Sequence, residues 1–135
     1  MKNKEKVLVT GANGFLGSAL VRQLKQEFNV KTLVRKTSDL TNLVGQDIEV
    51  VRGDLRDKDS LIQACKEVDI VFHAAADYRL WVRYPEELYE SNVTGTKNLL
   101  EAAYKSDVKK VIYTSSVATL GTNPDGSPAD EETPV

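Results

Sequence analysis

The sequence predicts an α/β fold in which helices cover both faces of a doubly wound parallel sheet. Three observations lead to this prediction. Short apolar runs rich in β-branched residues alternate with longer amphipathic segments five times along the chain. A glycine-rich turn joins the first run directly to the first amphipathic segment. The length of 135 residues suits one domain, which we place at 1–135. Such alternation implies right-handed crossovers between parallel strands, and we expect the strand order 3-2-1-4-5.

Each predicted element has its own local signal. The run 7–10 is β-branched and ends at a glycine, which is typical of a strand buried on both faces. Leu16, Leu20 and Leu24 share one face of a helix predicted over 15–28. Segment 36–46 is polar and predicts a loop or a broken helix. The other predicted strands are 30–35, 48–51, 70–76 and 111–114, and the other helices are 57–68 and 85–106.

The composition excludes several functional classes. Hydrophobic residues make up 41% of the chain, and a net charge of -2 leaves no basic field for nucleic acid. No apolar run approaches the ~20 residues that span a membrane. The basic start, 1–6, precedes an apolar run that is too short for a signal peptide, so we expect a cytoplasmic protein. A single cysteine and a single histidine argue against a disulfide or a metal site.

Three glycines mark a phosphate-binding turn between the first strand and the first helix. Gly11 permits the tight turn, Gly14 lets backbone approach a pyrophosphate, and Gly17 allows the helix to pack close to the sheet. The amide groups at the start of the helix then face the phosphates. The spacing is Gly-x-x-Gly-x-x-Gly rather than Gly-x-Gly-x-x-Gly, but its place at a strand-to-helix junction favours a nucleotide site.

The end of the second strand indicates which dinucleotide is bound. An acidic residue there would bind the ribose 2′-hydroxyl of NAD, whereas a basic residue would accept the 2′-phosphate of NADP. Arg35 occupies this position and Lys36 follows it, while Asp39 lies further along. We therefore predict NADP, with NAD as the alternative cofactor.

Five blocks in the same order resemble the extended short-chain dehydrogenase/reductase family, also described as the NAD-dependent epimerase/dehydratase family. They are the glycine turn, Gly53-Asp54-Leu55, Phe72 to Ala76, Asn92 to Thr96 and Tyr113 to Ser116. Within the family, the residues after Ala76 and around Ser116 look like the dihydroflavonol-reductase-like branch, and most like its hopanoid-associated sugar epimerases. The resemblance implies a Rossmann-type sheet.

The resemblance also implies roles for individual residues. Asn13, Phe15 and Leu16 would join the glycines around the dinucleotide, and Asp54 would bind the adenine amino group beside the Leu55 amide. The small side chains of Ala74, Ala75 and Ala76 leave room for the nicotinamide ribose at the end of the fourth strand. Ser116 matches the catalytic hydroxyl, with Ser115 as its alternative, and Asn92 matches an asparagine near the active site.

Two features of the sequence each allow more than one interpretation. Tyr78, Arg79 and Trp81 form either a wall of the substrate site or a protein interface. His73 lies within a buried strand, where a lone histidine is more often a core residue than a catalytic acid or base.

The family's catalytic tyrosine, with a lysine four residues later, has no match among the five tyrosines of this chain. We therefore expect the NADP-binding, N-terminal portion of a longer oxidoreductase that acts on a carbonyl or secondary alcohol of a small-molecule substrate, and we expect this portion to be inactive alone. A nucleotide-sugar epimerase or dehydratase and a non-catalytic dinucleotide-binding module are the alternatives. The sheet would stop after the fifth strand, whose apolar edge invites self-association.

Overall fold

A computed structural model describes residues 4–135 and contains five strands and four α-helices, one of them a single turn. The strands are Lys6–Thr10 (β1), Asn29–Val34 (β2), Glu49–Arg52 (β3), Ile70–His73 (β4) and Lys110–Tyr113 (β5). The α-helices are Phe15–Leu24 (α1), Lys58–Cys65 (α2), Glu86–Tyr89 (α3) and Gly95–Lys105 (α4). Short 3₁₀ segments lie at Thr41–Leu43 and Val117–Thr119, and a π-helical segment at Glu90–Thr94 joins α3 to α4.

The five strands form one parallel sheet with the order β3-β2-β1-β4-β5, which confirms the predicted topology. Thr10 pairs with Leu33 on one side and with His73 on the other, so the carboxyl ends of the three central strands lie side by side. In a sheet of this kind, ligands bind in the crevice at that edge, where the strand order reverses.

Each face of the sheet has its own apolar core. On one face, Leu8 and Val71 pack with Leu61 of α2 and Leu99 of α4. On the other face, Val7, Val9 and Val30 pack with Val21 of α1 and with Leu43 of the 3₁₀ segment. The sheet is therefore doubly wound, as predicted, and the segment left open as a loop or a broken helix contains one short 3₁₀ turn.

Three predicted ends were wrong by three or more residues, and one of them is the end of α2, which lies at Cys65 rather than at 68. Helix α1 ends at Leu24 rather than Phe28, because the amides of Gln26 and Glu27 bond to carbonyls three residues back and tighten the last turn. Strand β4 ends at His73, so Ala74, Ala75 and Ala76 follow the strand rather than belonging to it. Side-chain acceptors take over from the strand ladder there: the Ala75 amide donates to Thr10 Oγ1 at 3.3 Å.

The helix predicted over 85–106 is interrupted by the π-helical segment. The Thr96 hydroxyl donates to the carbonyl of Asn92 at 2.7 Å. A hydroxyl that bonds to a carbonyl four residues back competes with the regular helical ladder, and this bond lies at the end of the π-helical segment. Single π-helical turns inside α-helices are frequent at functional sites.

Beyond the 3₁₀ segment at Val117–Thr119, the described chain continues to residue 135 without another helix or strand. No helix among residues 4–135 has both the length and the apolar character needed to cross a membrane. The first three residues of the basic start, 1–3, lie outside the described residues.

Candidate functional site

The glycine turn leads from β1 into α1 and brings the backbone of two strand ends together. Gly11 has a φ of +66°, and a Cβ at this position would lie 2.7 Å from the amide nitrogen of Ala75. A Cβ at Gly17 would overlap the carbonyl of Gly11. Side chains are therefore excluded at both positions, as the spacing of the glycines predicted.

The first turn of α1 offers amide groups to an anion. Gly14 is the N-cap residue of α1, and no side chain caps the helix. The amides of Phe15, Leu16 and Gly17 belong to the first turn, where a helix supplies no carbonyl acceptor. The Phe15 side chain is 96% exposed, so the route to these amides is not closed by packing. The helix dipole adds to the attraction for negative charge.

A cleft of about 960 Å³ runs along the carboxyl edge of the sheet from this turn. It brings together most of the predicted site residues. Those that line it are Gly11, Asn13, Gly14, Phe15, Leu16, Gly17, Arg35, Asp54, Leu55, Ala74, Ala75 and Ala76. Asn92, Ser115 and Ser116 do not line it. The size and the mixed lining suit a ligand with both polar and flat apolar groups.

At the end of β2, the cleft is lined by a cation and a hydroxyl. Arg35 follows the strand directly, and Ser38 closes a turn by donating its amide to the Arg35 carbonyl at 3.0 Å. Asp39 is the acidic residue that could have bound a ribose hydroxyl, but it does not line the cleft. Its carboxylate instead accepts both the amide and the hydroxyl of Thr41, and these bonds lower its pKa.

At the end of β3, Asp54 forms a bidentate pair with Arg56. The Arg56 guanidinium donates to the two carboxylate oxygens at 2.9 and 2.8 Å. These bonds lower the pKa of Asp54 to about 2, and the positive charge of Arg35 acts in the same direction. Asp54 is therefore ionised at neutral pH. Sequence reasoning missed Arg56, although its place two residues after Asp54 is the spacing of an Asx turn, since the Arg56 amide also bonds to Asp54.

Asn92 holds the segment after β4 without lining the cleft. Its Oδ1 accepts the Asp77 amide and its Nδ2 donates to the Asp77 carbonyl, both at 2.7 Å. The amide side chain thus replaces a neighbouring strand as hydrogen-bond partner for Asp77. The three alanines, which lie between Asp77 and His73, are fixed at both ends as a result.

His73 is 2% exposed and lies between two hydroxyl groups. Thr96 donates its proton to a carbonyl, so it accepts from His73 Nε2 at 3.0 Å. The Nδ1 atom is then the acceptor for Thr10 Oγ1 at 2.6 Å. Burial lowers the pKa of His73 to about 4, so the ring is neutral at neutral pH. The prediction that His73 is a core residue agrees with this burial.

The aromatic-rich segment 78–84, which follows Asp77, lies only partly at the cleft. Tyr78 and Arg79 line the cleft, whereas Trp81 does not line it and is 80% exposed. The Arg79 guanidinium bonds to Asp77 and to Glu87 on α3, at 2.6 and 3.2 Å. Sequence reasoning missed Glu87, because no local pattern links it to Arg79.

The two serines follow β5, next to the segment after β4. The Thr114 amide donates to the His73 carbonyl at 3.0 Å, which holds the two strand ends together. Ser116 Oγ accepts the amide of Ala118 at 3.2 Å and caps the short 3₁₀ segment. This bond uses Ser116 as an acceptor and leaves its hydroxyl proton available to another group.

The fold and the site together define a Rossmann-type dinucleotide-binding domain: a doubly wound parallel sheet with a glycine turn at its central strand. A model of the NAD dependent epimerase/dehydratase family matches residues 7–135. The chain belongs to this family, as the five sequence blocks indicated.

Individual relatives differ in their names. The chain is 47% identical over 124 residues to a putative dihydroflavonol 4-reductase of Synechocystis. The matched region covers 91% of this chain and 36% of that protein. It is 52% identical to the crystal structure of gox2253, with a TM-score of 0.90, covering 98% of this chain and 40% of that one. It is 34% identical to the UDP-glucose 4-epimerase of Thermus thermophilus in complex with NAD, with a TM-score of 0.83, covering 96% and 43%.

The chain thus spans between about a third and a half of the length of these relatives. The family is NAD-dependent by description, and reductases and epimerases both occur among the similar proteins. Both kinds of relative share the part of the fold that the glycine turn and the cleft occupy.

Proposed function

We propose that this chain is the NADP-binding part of an oxidoreductase that acts on a carbonyl or secondary alcohol of a small molecule. The observation that carries the proposal is the cleft at the carboxyl edge of the sheet, with uncapped helix amides at its centre and Arg35 at the end of β2. When bound, the cofactor would supply the hydride acceptor or donor. The residues of this chain bind it and orient the substrate.

The residues around the glycine turn fit a pyrophosphate. Backbone fills the space where Cβ atoms at Gly11 and Gly17 would lie, so the turn presents amides rather than side chains. The uncapped first turn of α1 supplies the donors that an anion needs. An apolar ligand would leave these amides without acceptors, and this favours a phosphate group.

The end of β2 favours NADP over NAD. Arg35 lines the cleft, and it forms no ion pair with any carboxylate among residues 4–135. The carboxylate of Asp39 is engaged by Thr41 instead of facing the cleft. A cation that forms no ion pair with a carboxylate suits a 2′-phosphate better than a 2′-hydroxyl.

The remaining predicted residues would contact the other parts of the dinucleotide and the substrate. Asp54 Oδ1 accepts both the amide and Nε of Arg56, but Oδ2 accepts only Nη2, so a lone pair on Oδ2 can still accept the adenine amino group, with the Leu55 amide beside the ring. Ala74, Ala75 and Ala76 leave space for the nicotinamide ribose. The Ser116 hydroxyl would donate a hydrogen bond to a substrate oxygen and orient it, with Ser115 as the alternative donor.

A reductase is favoured over a nucleotide-sugar epimerase by one observation. The relative named as a putative dihydroflavonol 4-reductase is 47% identical to this chain, whereas two relatives named as 4-epimerases, one of them putative, are 39% and 34% identical. A non-catalytic binding module is the other candidate, because no tyrosine of the chain is followed by a lysine four residues later.

The charge of Arg35 provides the test. A charge-assisted contact to the 2′-phosphate is worth roughly 1.5–3 kcal/mol. Arg35→Asp should therefore weaken NADP binding by about ten- to a hundredfold and spare NAD, as measured by calorimetric titration. The matched control is Lys36→Asp, because Lys36 is also exposed but does not line the cleft. Tighter binding of NAD than of NADP by the unmodified chain would overturn the cofactor assignment.

A further inference from the structure

An arginine from the neighbouring strand holds the turn that follows β2. Arg52 is the last residue of β3 and pairs in register with Val34, the last residue of β2. Its Nη1 donates to the carbonyl of Arg35 at 2.8 Å and comes within 3.4 Å of the carbonyls of Lys36 and Ser38. One guanidinium group therefore contacts three of the four carbonyls in the turn 35–38.

The contact bears on the cleft through Arg35 and Ser38. Both residues line the cleft, whereas Arg52 does not. The Arg35 carbonyl accepts two donors, Arg52 Nη1 and the Ser38 amide at 3.0 Å. The backbone that follows the Arg35 side chain is thus held by Arg52, a residue that does not itself line the cleft.

The charge of Arg52 is also uncompensated within the described chain. Its bonds go to carbonyl dipoles, and it forms no ion pair with a carboxylate among residues 4–135. Arg56, which does line the cleft, differs because Asp54 neutralises it. Arg35 and Arg52 are therefore two unpaired cations at the ends of adjacent strands, where their charges add.

We propose that Arg52 is a positioning residue that sets the preference for a 2′-phosphorylated adenosine group. It holds the turn so that the Arg35 guanidinium faces the cleft, and its own charge adds to the attraction for a dianionic phosphate. This inference rests on the proposed preference for NADP and extends it to a residue outside the cleft. It identifies the chemistry recognised as a phosphate ester on the ribose rather than as a free hydroxyl.

The test uses two small probes that report on the adenosine half alone: adenosine 2′,5′-bisphosphate and adenosine 5′-monophosphate. Arg52→Gln should weaken binding of the bisphosphate by about five- to tenfold and change binding of the monophosphate by less than about twofold. Calorimetric titration of the folded chain gives both affinities. Arg52 is exposed, so its replacement leaves the core intact, and circular dichroism verifies the fold of each variant.

Two matched variants separate position from charge. Arg52→Lys keeps the charge but loses the planar fork, so we expect an affinity for the bisphosphate between those of the unmodified chain and Arg52→Gln. Arg22→Gln removes the same charge from an exposed site on α1 and should leave both affinities within about twofold. The double variant with Arg35→Gln and Arg52→Gln should weaken binding of the bisphosphate by less than the product of the two single fold-changes, since one residue acts through the other.

Amide hydrogen exchange supplies a readout that does not depend on any ligand. If Arg52 holds the turn, the Ser38 amide should exchange faster in Arg52→Gln than in the unmodified chain, while the Ser18 amide of α1 should be unchanged. Unchanged exchange at Ser38 would overturn the positioning role.

The titrations separate this inference from the cofactor proposal. An unmodified chain that binds both probes equally well would overturn the preference for NADP, and with it the selectivity assigned to Arg52. A selective unmodified chain whose selectivity survives in Arg52→Gln would overturn the role of Arg52 alone. Equal weakening of both probes would also overturn it, because it would mean that Arg52 only maintains the fold.

Discussion

The carboxyl edge of the sheet has two unequal halves. Around β1, β2 and β3, the segments that line the cleft are held by hydrogen bonds from neighbouring segments: Asn42 donates to the Asn13 carbonyl at 2.8 Å, and Arg52 Nη1 donates to the Arg35 carbonyl at 2.8 Å. Around β4 and β5, large side chains point to solvent. Tyr78, Trp81 and Val117 are each at least 80% exposed.

This difference indicates which half of the cleft is positioned by residues of the described chain. The half of the cleft around β1, β2 and β3, where we propose that adenosine and pyrophosphate bind, is built from backbone and charge that the chain itself positions, so we expect binding there to need no further contacts. The other half carries Ser116 but no tyrosine with a lysine four residues later, and its aromatic side chains Tyr78 and Trp81 are largely exposed. We therefore expect substitutions in the first half to affect binding and stability, and those in the second half to affect association.

The largest effect is expected at Gly17. A methyl group there would overlap the Gly11 carbonyl, so Gly17→Ala should lower the free energy of unfolding by about 3 kcal/mol and abolish cofactor binding. The matched control is Gly126→Ala in the loop that follows the last 3₁₀ segment, at a φ of +76° but with no atom within 4 Å of the added Cβ. This variant should lower the free energy of unfolding by only about 1–2 kcal/mol. Urea unfolding followed by circular dichroism measures both; equal stability of the two variants would contradict the tight approach at Gly17.

The next effect concerns pH and His73, which lies at the seam between the two halves. Burial lowers its pKa from 6.5 to about 4, so the unfolded chain binds the proton more tightly than the folded one. The titration of His73 therefore lowers the free energy of unfolding as the pH drops from about 6.5 to about 4, by roughly 2–3 kcal/mol in total.

The control for this pH dependence is His73→Gln, which retains a hydrogen-bond donor and an acceptor but does not titrate. Urea midpoints measured between pH 7 and pH 4 should fall more steeply for the unmodified chain than for the variant. Asp54 does not obscure the comparison, since its pKa of about 2 places its loss of stability below this window. Identical slopes for the two proteins would show that His73 is not buried in its neutral form.

The smallest effect is expected at the edge of the sheet. On β5, Ile112 and Tyr113 are 42% and 56% exposed, and an open apolar edge invites pairing with another chain. Ile112→Lys should reduce self-association of the concentrated chain, as followed by light scattering. Val50→Lys on β3, at the opposite edge, is the matched control and should change association less. A monomeric unmodified chain would remove the basis for this prediction.

Much of the first half could be predicted from the sequence because its signals are local. The glycines follow a β-branched run directly, and Arg35 follows the next strand, so their meeting at one edge required only the strand order. Arg52 was not predicted, because its partners are carbonyls across a strand pair and no residue pattern marks them.

The second half was harder to predict for the same physical reason. Ala74, Ala75 and Ala76 read as a continuation of β4, but the hydroxyl of Thr10 and the amide of Asn92 take over the backbone bonds after His73. These side chains come from residues far away in the sequence. Propensity cannot anticipate such competition. The Thr96 hydroxyl bonds only four residues back, to the Asn92 carbonyl, but helix propensity takes no account of that bond either.

The most direct measurement is a calorimetric titration of the 135-residue chain with NADP and with NAD, accompanied by an assay of NADPH oxidation with aldehyde and ketone substrates. We expect saturable binding that is tighter for NADP, and no oxidation above background. General acid–base catalysis typically contributes about 10²–10⁴ in rate, and Ser116 alone supplies no matched proton donor. Clear turnover that Ser116→Ala abolishes would contradict this expectation and would make Tyr78 the first candidate for the missing acid.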